Sequence, residues 1–504
     1  MIDSMGGGMK RLAKDTAIYG VSSIAGKFLN WLLVPMYVRV LPHAGDYGIV
    51  TNLYAWVALL LVALTYGMET GLFRFINKKE EKEPLRVYST TLFSIGCTSL
   101  LFLLAGFCFL HPISHILGYG DHPEYIGMFL GIVATDAFCS IPFAYLRYQN
   151  RPVRFAAIKL MNIFLNIGLN LFFLVLCPWL YLHMPGLIDW FYCPDYGVGY
   201  IFIANVITVI AVFLFLLPEI FQAFRAKADF PLLRQMLRYS FPIMILGIAG
   251  VFNQTADKII FPFLFEDKVF AQEQLGIYGA CFKIALVMVM FIQAFRYAYE
   301  PFIFARNKEK GGHRAYIEGM RYFILFGLLI FLGVMFYIDL LKYFVTPAYY
   351  PGLRVVPIVM LGELFFGIYF NLSFWYKLTD QTHWGAWFSM IGCLATVLII
   401  LLFAREYGYM ACAWASFVCN LLMMLLSYFI GQKKYPIAYD LKSAFTYLGV
   451  AAILYTAGMM PVIESVFIRI VYRTFLLILF VTFIIKRDLP LHELPVVGHY
   501  FRKK

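Results

Sequence analysis

The sequence predicts an all-α polytopic membrane protein of about 14 transmembrane helices, organised as two six-helix lobes related by a pseudo-twofold axis with two additional C-terminal helices. Three observations predict it. Hydrophobic residues make up 62% of the 504 and charged residues only 14%, with mean hydropathy +0.75, a balance typical of chains that live in lipid. Apolar stretches of roughly 20 residues, the length that crosses a hydrocarbon core of about 30 Å, recur along the whole chain. Features of the first half also return in the second at matching places.

The predicted spans, with ends good to about 2 to 4 residues, are 17–39, 48–72, 87–110, 125–146, 154–177, 198–220, 239–264, 276–304, 318–338, 354–376, 384–403, 408–430, 443–462 and 467–485. Arg469 and Arg473 crowd the start of span 14. The first apolar run is long and lacks a small-residue cleavage pattern, so span 1 is expected to be retained rather than removed as a leader. Lys and Arg accumulate in cytoplasmic loops. With the N-terminus inside, 30 of the 41 fall on that side, six fall outside, and five (Lys27, Arg39, Lys258, Lys283, Arg296) lie within spans. An even number of spans then puts both termini in the cytoplasm. The net charge of +12 is read as this topology signal, helped by anionic headgroups, and not as nucleic-acid binding, for which no motif is present.

Of the nine cysteines, seven lie inside spans, where a thiol behaves as a small hydrophobe. Cys177 and Cys193 flank the outer loop 178–197, and a disulfide between them is the minority expectation. That loop is the longest outer connection, which leaves no room for a soluble catalytic or nucleotide-binding domain. GxxxxGK[ST], HExxH, paired CxxC and GxSxG are all absent from the sequence, so neither a catalytic residue nor a metal site is expected.

The repeat is seen by setting "SSIAGKFLN…DYGIVTNLYAWVALLLVALTYGMETGLFRF" beside "LGIAGVFNQ…IYGACFKIALVMVMFIQAFRYAYEPFIF". Each copy has Ile-Ala-Gly in its first helix (Gly26, Gly250), Tyr-Gly opening the next (Tyr47-Gly48, Tyr278-Gly279) and a glutamate 21 residues on (Glu69, Glu300). Asp136-x-Phe138-x-Ser140-Ile141 in span 4 is echoed by Glu363-x-Phe365-x-Gly367-Ile368 in span 10. These echoes define a six-helix period, and an even period gives both copies the same orientation. The lobes are accordingly 1–230 (spans 1–6) and 231–435 (spans 7–12), with 436–504 as an addition.

The N-terminal "LAKDTAIYG…LLVPMYVRVLPHAGDYGIVTNLY", "YSFPIMILGIAGVFNQTADKIIF" in span 7 and "LGIYGACFKIALVMVMFIQAFRYAYEPF" in span 8 resemble the polysaccharide-transporter branch of the multidrug/oligosaccharidyl-lipid/polysaccharide exporter superfamily. O-antigen and capsule repeat-unit flippases of lipopolysaccharide and capsule synthesis belong to that branch. The resemblance implies two lobes around a central cavity, alternating access in the bacterial inner membrane, and a polyprenyl-pyrophosphate-linked glycan as cargo. A polysaccharide polymerase and glycosyltransferases are the partners it implies. The aromatic outer loop "PWLYLHMPGLIDWFYCPDYG" is longer than expected for that family.

The residues themselves bear on such cargo. Ionisable groups cost about 2.5 to 3.5 kcal/mol each to insert at a helix centre and usually face a cavity or a partner, and the candidates are drawn from those within or at the rims of the spans. Lys27, Lys258 and Lys283, with Arg39 at the outer rim, are candidate cationic steps for the pyrophosphate; helix-tying ion pairs and snorkelling are the alternative reading. Arg296 and Glu300, four apart on one helix, suggest a cytoplasmic gate that Glu69 joins, or a permanent salt bridge. Asp136, Asp257 and Glu363 are candidates for proton or sodium coupling, no other cofactor being expected, although a hydrogen-bonded and permanently protonated acid serves equally well for the mid-span Asp136 and Glu363. Asn162, Asn166 and Asn170 form a stripe at spacing four, preceded by Lys159, and Asn253 and Gln254 stack above Asp257 and Lys258 by helix geometry. Amides both donate and accept, which suits glycan hydroxyls as well as helix–helix contacts. Trp179, Tyr181, Trp190, Tyr192 and Tyr196 form an interfacial belt or a sugar-stacking surface. Two other classes share a polytopic build: a multidrug/cation antiporter, which calls for an acidic cavity, and a membrane polymerase or ligase, which calls for a long outer loop with paired Arg and His.

Overall fold

A computed structural model describes residue 26 and residues 28–77, 83–306, 312–379 and 381–488. Among the described residues every regular element is helical. Fourteen long helices correspond in order to the fourteen predicted spans: α1 (Phe28–Val40), α2 (Ala44–Ile76), α3 (Pro84–Cys108), α4 (Pro123–Tyr148), α5 (Pro152–His183), α6 (Val198–Phe215), α7 (Phe230–Leu264), α8 (Lys268–Arg306), α9 (Tyr316–Phe336), α10 (Pro347–Leu378), α11 (His383–Tyr407), α12 (Tyr409–Lys434), α13 (Leu441–Met459) and α14 (Val466–Asp488). Twelve of them are long and apolar enough to cross a membrane. The two others are α1, of which only the last part is described, and α13, whose 19 residues are diluted by Lys442, Ser443, Thr446, Tyr455 and Thr456.

Local chemistry sets the ends. Proline opens α3, α4 and α5, where its missing N–H would be unsatisfied anyway. Asp229 and Asp440 cap α7 and α13, each accepting a backbone N–H at 3.0 Å, as N-cap acids do. Helix α5 passes through a single π turn at Phe172–Leu176, directly after Asn170.

The chain forms two compact units: one gathers the described residues up to Gly279 with Thr396–Cys412, the other Ala280–Ala395 with Ala413 onwards. The sequence repeat divides the chain differently, at 230 and 435. In the first unit α7, the opening helix of the second repeat, packs along α2. Neighbouring helices approach α2 closely at both its ends, α8 at one and α7 at the other. At one end, a Cβ on Gly48 would collide with the Gln272 carbonyl, and one on Gly276 with the Ala44 carbonyl. At the other, α2 breaks at Tyr66 (φ 33°) and Gly67 (φ 71°). There a Cβ on Gly67 would stand 2.8 Å from the Ser240 carbonyl oxygen. Only glycine meets both demands at Gly67, a left-handed backbone and a neighbouring helix at contact. The Tyr-Gly pairs that betray the repeat are therefore packing residues, with Tyr47 and Tyr278 buried beside them.

Candidate functional site

In the first unit, Asp257 and Lys258 sit near the end of α7, both largely buried. Lys258 Nζ lies 3.0 Å from Asp257 Oδ2 and 3.1 Å from Oδ1, and Tyr278 OH of α8 donates to Oδ2 at 2.6 Å. The same ammonium stands 5.4 Å over the Tyr278 ring. The Lys258 carbonyl accepts from Asn52 Nδ2 of α2 at 2.7 Å, and Asn52 Oδ1 accepts from Tyr119 OH at 2.8 Å. The Cys412 thiol reaches the Asp257 carbonyl at 3.8 Å. Three helices are thus tied by one carboxylate, one ammonium and one amide. Of the amides predicted beside them, Asn253 is half-buried and Gln254 is exposed.

A second polar group fills the interior of α1, α2, α5 and α6. Tyr37 OH donates to Asn170 Oδ1 at 3.0 Å, and Asn170 Nδ2 donates to Asn166 Oδ1 at 2.7 Å. Asn205 donates to the Tyr54 hydroxyl. Asp136 of α4 and Lys159 of α5 interact electrostatically, and the Lys159 ammonium stands 4.1 Å over the Phe143 ring. Asn162, the first of the stripe, is half-buried. Two members of the stripe, Asn166 and Asn170, thus bond to each other along one helix face, and a tyrosine from another helix closes the pair.

Further ion pairs fasten the helix ends. Glu69 pairs with Arg147 of α4, whose guanidinium also covers the Phe73 ring at 5.2 Å. Glu219 is wholly buried, with Arg154 Nε at 2.9 Å and Nη2 at 3.0 Å. Arg86 pairs with the cap residue Asp229. Arg39 is exposed and donates to the Pro35 carbonyl at 2.7 Å. Lys27 lies outside the described residues. Cys177 and Cys193 are both free thiols, so the possible disulfide is not formed; Tyr192 between them in the chain is buried, while Trp179 and Trp190 are exposed.

In the second unit, the exposed Arg296 of α8 stands 4.6 Å over the Phe370 ring of α10, and Lys377 stands 4.6 Å from that same ring and 5.2 Å from Phe374. Lys283, Gln293 and Glu363 are half-buried on α8 and α10. Glu300 lies on α8, with its side chain outside the described residues. A cluster that sequence reasoning missed joins Asp339, after α9, to α14: its Oδ2 lies 2.7 Å from Arg469 Nε and 2.8 Å from the buried Arg473 Nη1. The signal for it was the pair of arginines four apart at the start of an apolar span, which demands a carboxylate nearby.

Residues 12–305, more than half of the chain, match the family described as polysaccharide biosynthesis protein. The chain belongs to that family. A comparison with curated proteins finds no sequence match. Among solved structures, the fold is shared with the lipid II flippase MurJ in an inward closed conformation (TM-score 0.69, 14% identity, 92% of this chain and 99% of that one). It is also shared with an inward-facing MATE-family multidrug resistance transporter of the MOP superfamily (TM-score 0.64, 11% identity, 81% and 94%). The MATE multidrug transporter DinF-BH, solved with R6G, is a third similar structure (TM-score 0.58, 15% identity, 84% and 96%). The all-α fold expected from the sequence is therefore one that these solved structures share.

Proposed function

We propose that this family member is a flippase, not an enzyme, which carries a polyprenyl-pyrophosphate-linked oligosaccharide repeat unit from the inner to the outer leaflet of a bacterial inner membrane by alternating access. The observation that carries the reading is the family match over residues 12–305 together with a fold shared end to end with a lipid II flippase. The local chemistry is compatible with it. Alternating access needs helices that can part, and α2 meets α7 and α8 through backbone packing at Gly48, Gly276 and Gly67, contacts that can separate without breaking a charge pair.

In this reading the pyrophosphate is met by Lys283, Arg296 and Arg39, with Lys27. Lys258 joins them only when Asp257 is relieved of its charge, by a proton or by exchange of partner. Asp136, beside Lys159 and Tyr54, is the leading candidate for a coupling proton or sodium ion, with Glu363 its counterpart on α10. Asn162, Asn166 and Asn170 offer amides to glycan hydroxyls. Both termini face the cytoplasm, where glycosyltransferases make the cargo, and a polymerase receives it outside. The antiporter reading asks for acids left open to an organic cation; Asp257 carries a lysine of its own instead, and Asp136 lies in the field of Lys159.

The test is a strain lacking the gene, assayed for which leaflet holds the lipid-linked repeat unit. Accumulation in the inner leaflet is expected. Unpolymerised units accumulating in the outer leaflet would instead make the protein a polymerase or ligase.

A further inference from the structure

We propose that the second unit carries a binding site for an anionic phospholipid of the surrounding membrane, with one acyl chain in the cavity between α9, α10, α12 and α13 and the phosphodiester at Arg321. The site is separate from the transport path proposed above and stands without it.

The cavity has a volume of about 300 Å³ and is walled by apolar side chains such as Ile324, Ile368, Leu372 and Leu448. That volume lies at the lower end of ligand pockets, which are mostly apolar with a few polar groups that fix orientation. Phe429 of α12 and Phe445 of α13 flank it and are more than half exposed, so an acyl chain can enter sideways between the two helices. Arg321, Tyr439 and Asp440 form its polar end, where α9 and α13 both begin.

Two further observations point to a ligand. Tyr447 lines the cavity and is fully buried, and its hydroxyl has no hydrogen-bond partner among the described residues. A buried hydroxyl left without a partner costs about 1 to 3 kcal/mol, a cost removed by an acceptor such as a lipid ester carbonyl. The charges at the mouth are also unequal. Asp440 is committed to the cap of α13, accepting from Ser443 N at 3.0 Å. Arg487 donates to Ser443 Oγ at 3.1 Å and lies 5.3 Å over the Tyr447 ring. Arg321 and Arg487 both act on Asp440, so the acid at the mouth lies in the field of two cations. A basic pocket between membrane helices beside an apolar slot has the two-part chemistry of an anionic lipid. A long branched polyprenyl tail would place only a small part of its length in a cavity of this size, so a resident phospholipid is the better fit.

The test uses the full chain, purified in detergent and stripped of lipid, then analysed by native mass spectrometry with phosphatidylglycerol, phosphatidylcholine or polyprenyl phosphate added. Phosphatidylglycerol should be retained about tenfold better than phosphatidylcholine, a difference of roughly 1.4 kcal/mol. Ala444→Phe, or Ile368→Phe should the first variant fail to fold, fills the cavity and should abolish retention. Arg321→Gln should keep a bound lipid but level the preference between the two headgroups. Equal retention of both phospholipids by the unaltered protein, retention undiminished by a filled cavity, or displacement of phosphatidylglycerol by an equal amount of polyprenyl phosphate would each overturn the proposal.

Discussion

Lys258 on α7, and the pair Arg296 and Lys377 on α8 and α10, are all cations carried by apolar helices, yet they are held by different forces. Lys258 is buried against a carboxylate that also accepts from a tyrosine. Arg296 and Lys377 rest on one phenyl ring. Removing one member of a buried ion pair leaves an uncompensated charge and costs about 3 to 5 kcal/mol. A cation–π contact at an exposed site is worth only about 0.5 to 1 kcal/mol. A phosphate must defeat Asp257 to win Lys258, and must draw Arg296 off the Phe370 ring.

Breaking the buried pair should have the largest effect. Asp257→Ala is expected to lower stability by about 3 to 5 kcal/mol, read as a fall in the melting temperature of the detergent-purified protein, and adding Lys258→Met should recover most of it. If Asp257→Ala alone melts like the unaltered protein, the two cation types do not differ as described. Tyr278→Phe removes a hydrogen bond to a charged group and should cost about 1.5 to 3 kcal/mol, measured in the same way. Arg296→Gln together with Lys377→Gln removes both cation–π contacts on Phe370 and should lower glycan export in a complementation assay, with a smaller fall in melting temperature than Asp257→Ala. Loss of stability with export intact would place these two cations with Lys258.

The smallest effect concerns Asp440, an exposed acid at the cap of α13. Hydrogen bonds from Ser443, then the fields of Arg321 and Arg487, hold its carboxyl below the usual carboxylate range. A folded value below the unfolded one, about 3.9, means that its contribution is present above that pH and is lost as pH falls through the folded value. Asp440→Asn keeps a cap-forming residue and should flatten the acid side of the stability profile by a small amount, visible as melting temperatures compared at pH 6 and below about 4. An unchanged acid limb would mean that the cap, and not the charge, is what matters there.

Much of the architecture was legible because lipid imposes a simple rule: every span must be apolar for roughly 20 residues. Among the described residues twelve of the fourteen predicted spans are helices long and apolar enough to cross a membrane, and α13 falls short because its Lys, Ser, Thr and Tyr content dilutes the signal. The amide stripe at Asn162, Asn166 and Asn170 was visible for the same reason, since spacing four on a helix is one face, and two of its members do bond to each other. Partner choice was not legible. Glu69 finds Arg147, 78 residues away, and Asp339 finds Arg473, 134 residues away, and nothing local encodes such distances. Glu219 lies in the last residues of predicted span 198–220, but nothing local names Arg154, 65 residues away, as the partner of its buried carboxylate.

By itself the sequence determined the all-helical class, the order of the apolar helices and the presence of charges that lipid would not tolerate unpaired. These are one-dimensional properties, set by transfer free energy and helix pitch. Only the tertiary structure decided which charges neutralise one another. It also decided that Gly48 of the first Tyr-Gly pair meets the α8 backbone at Gln272, and that the hydroxyl of the buried, cavity-lining Tyr447 has no hydrogen-bond partner among the described residues. Those outcomes depend on which surfaces meet across tens or hundreds of residues, and a meeting of surfaces is decided by packing, which no single segment contains.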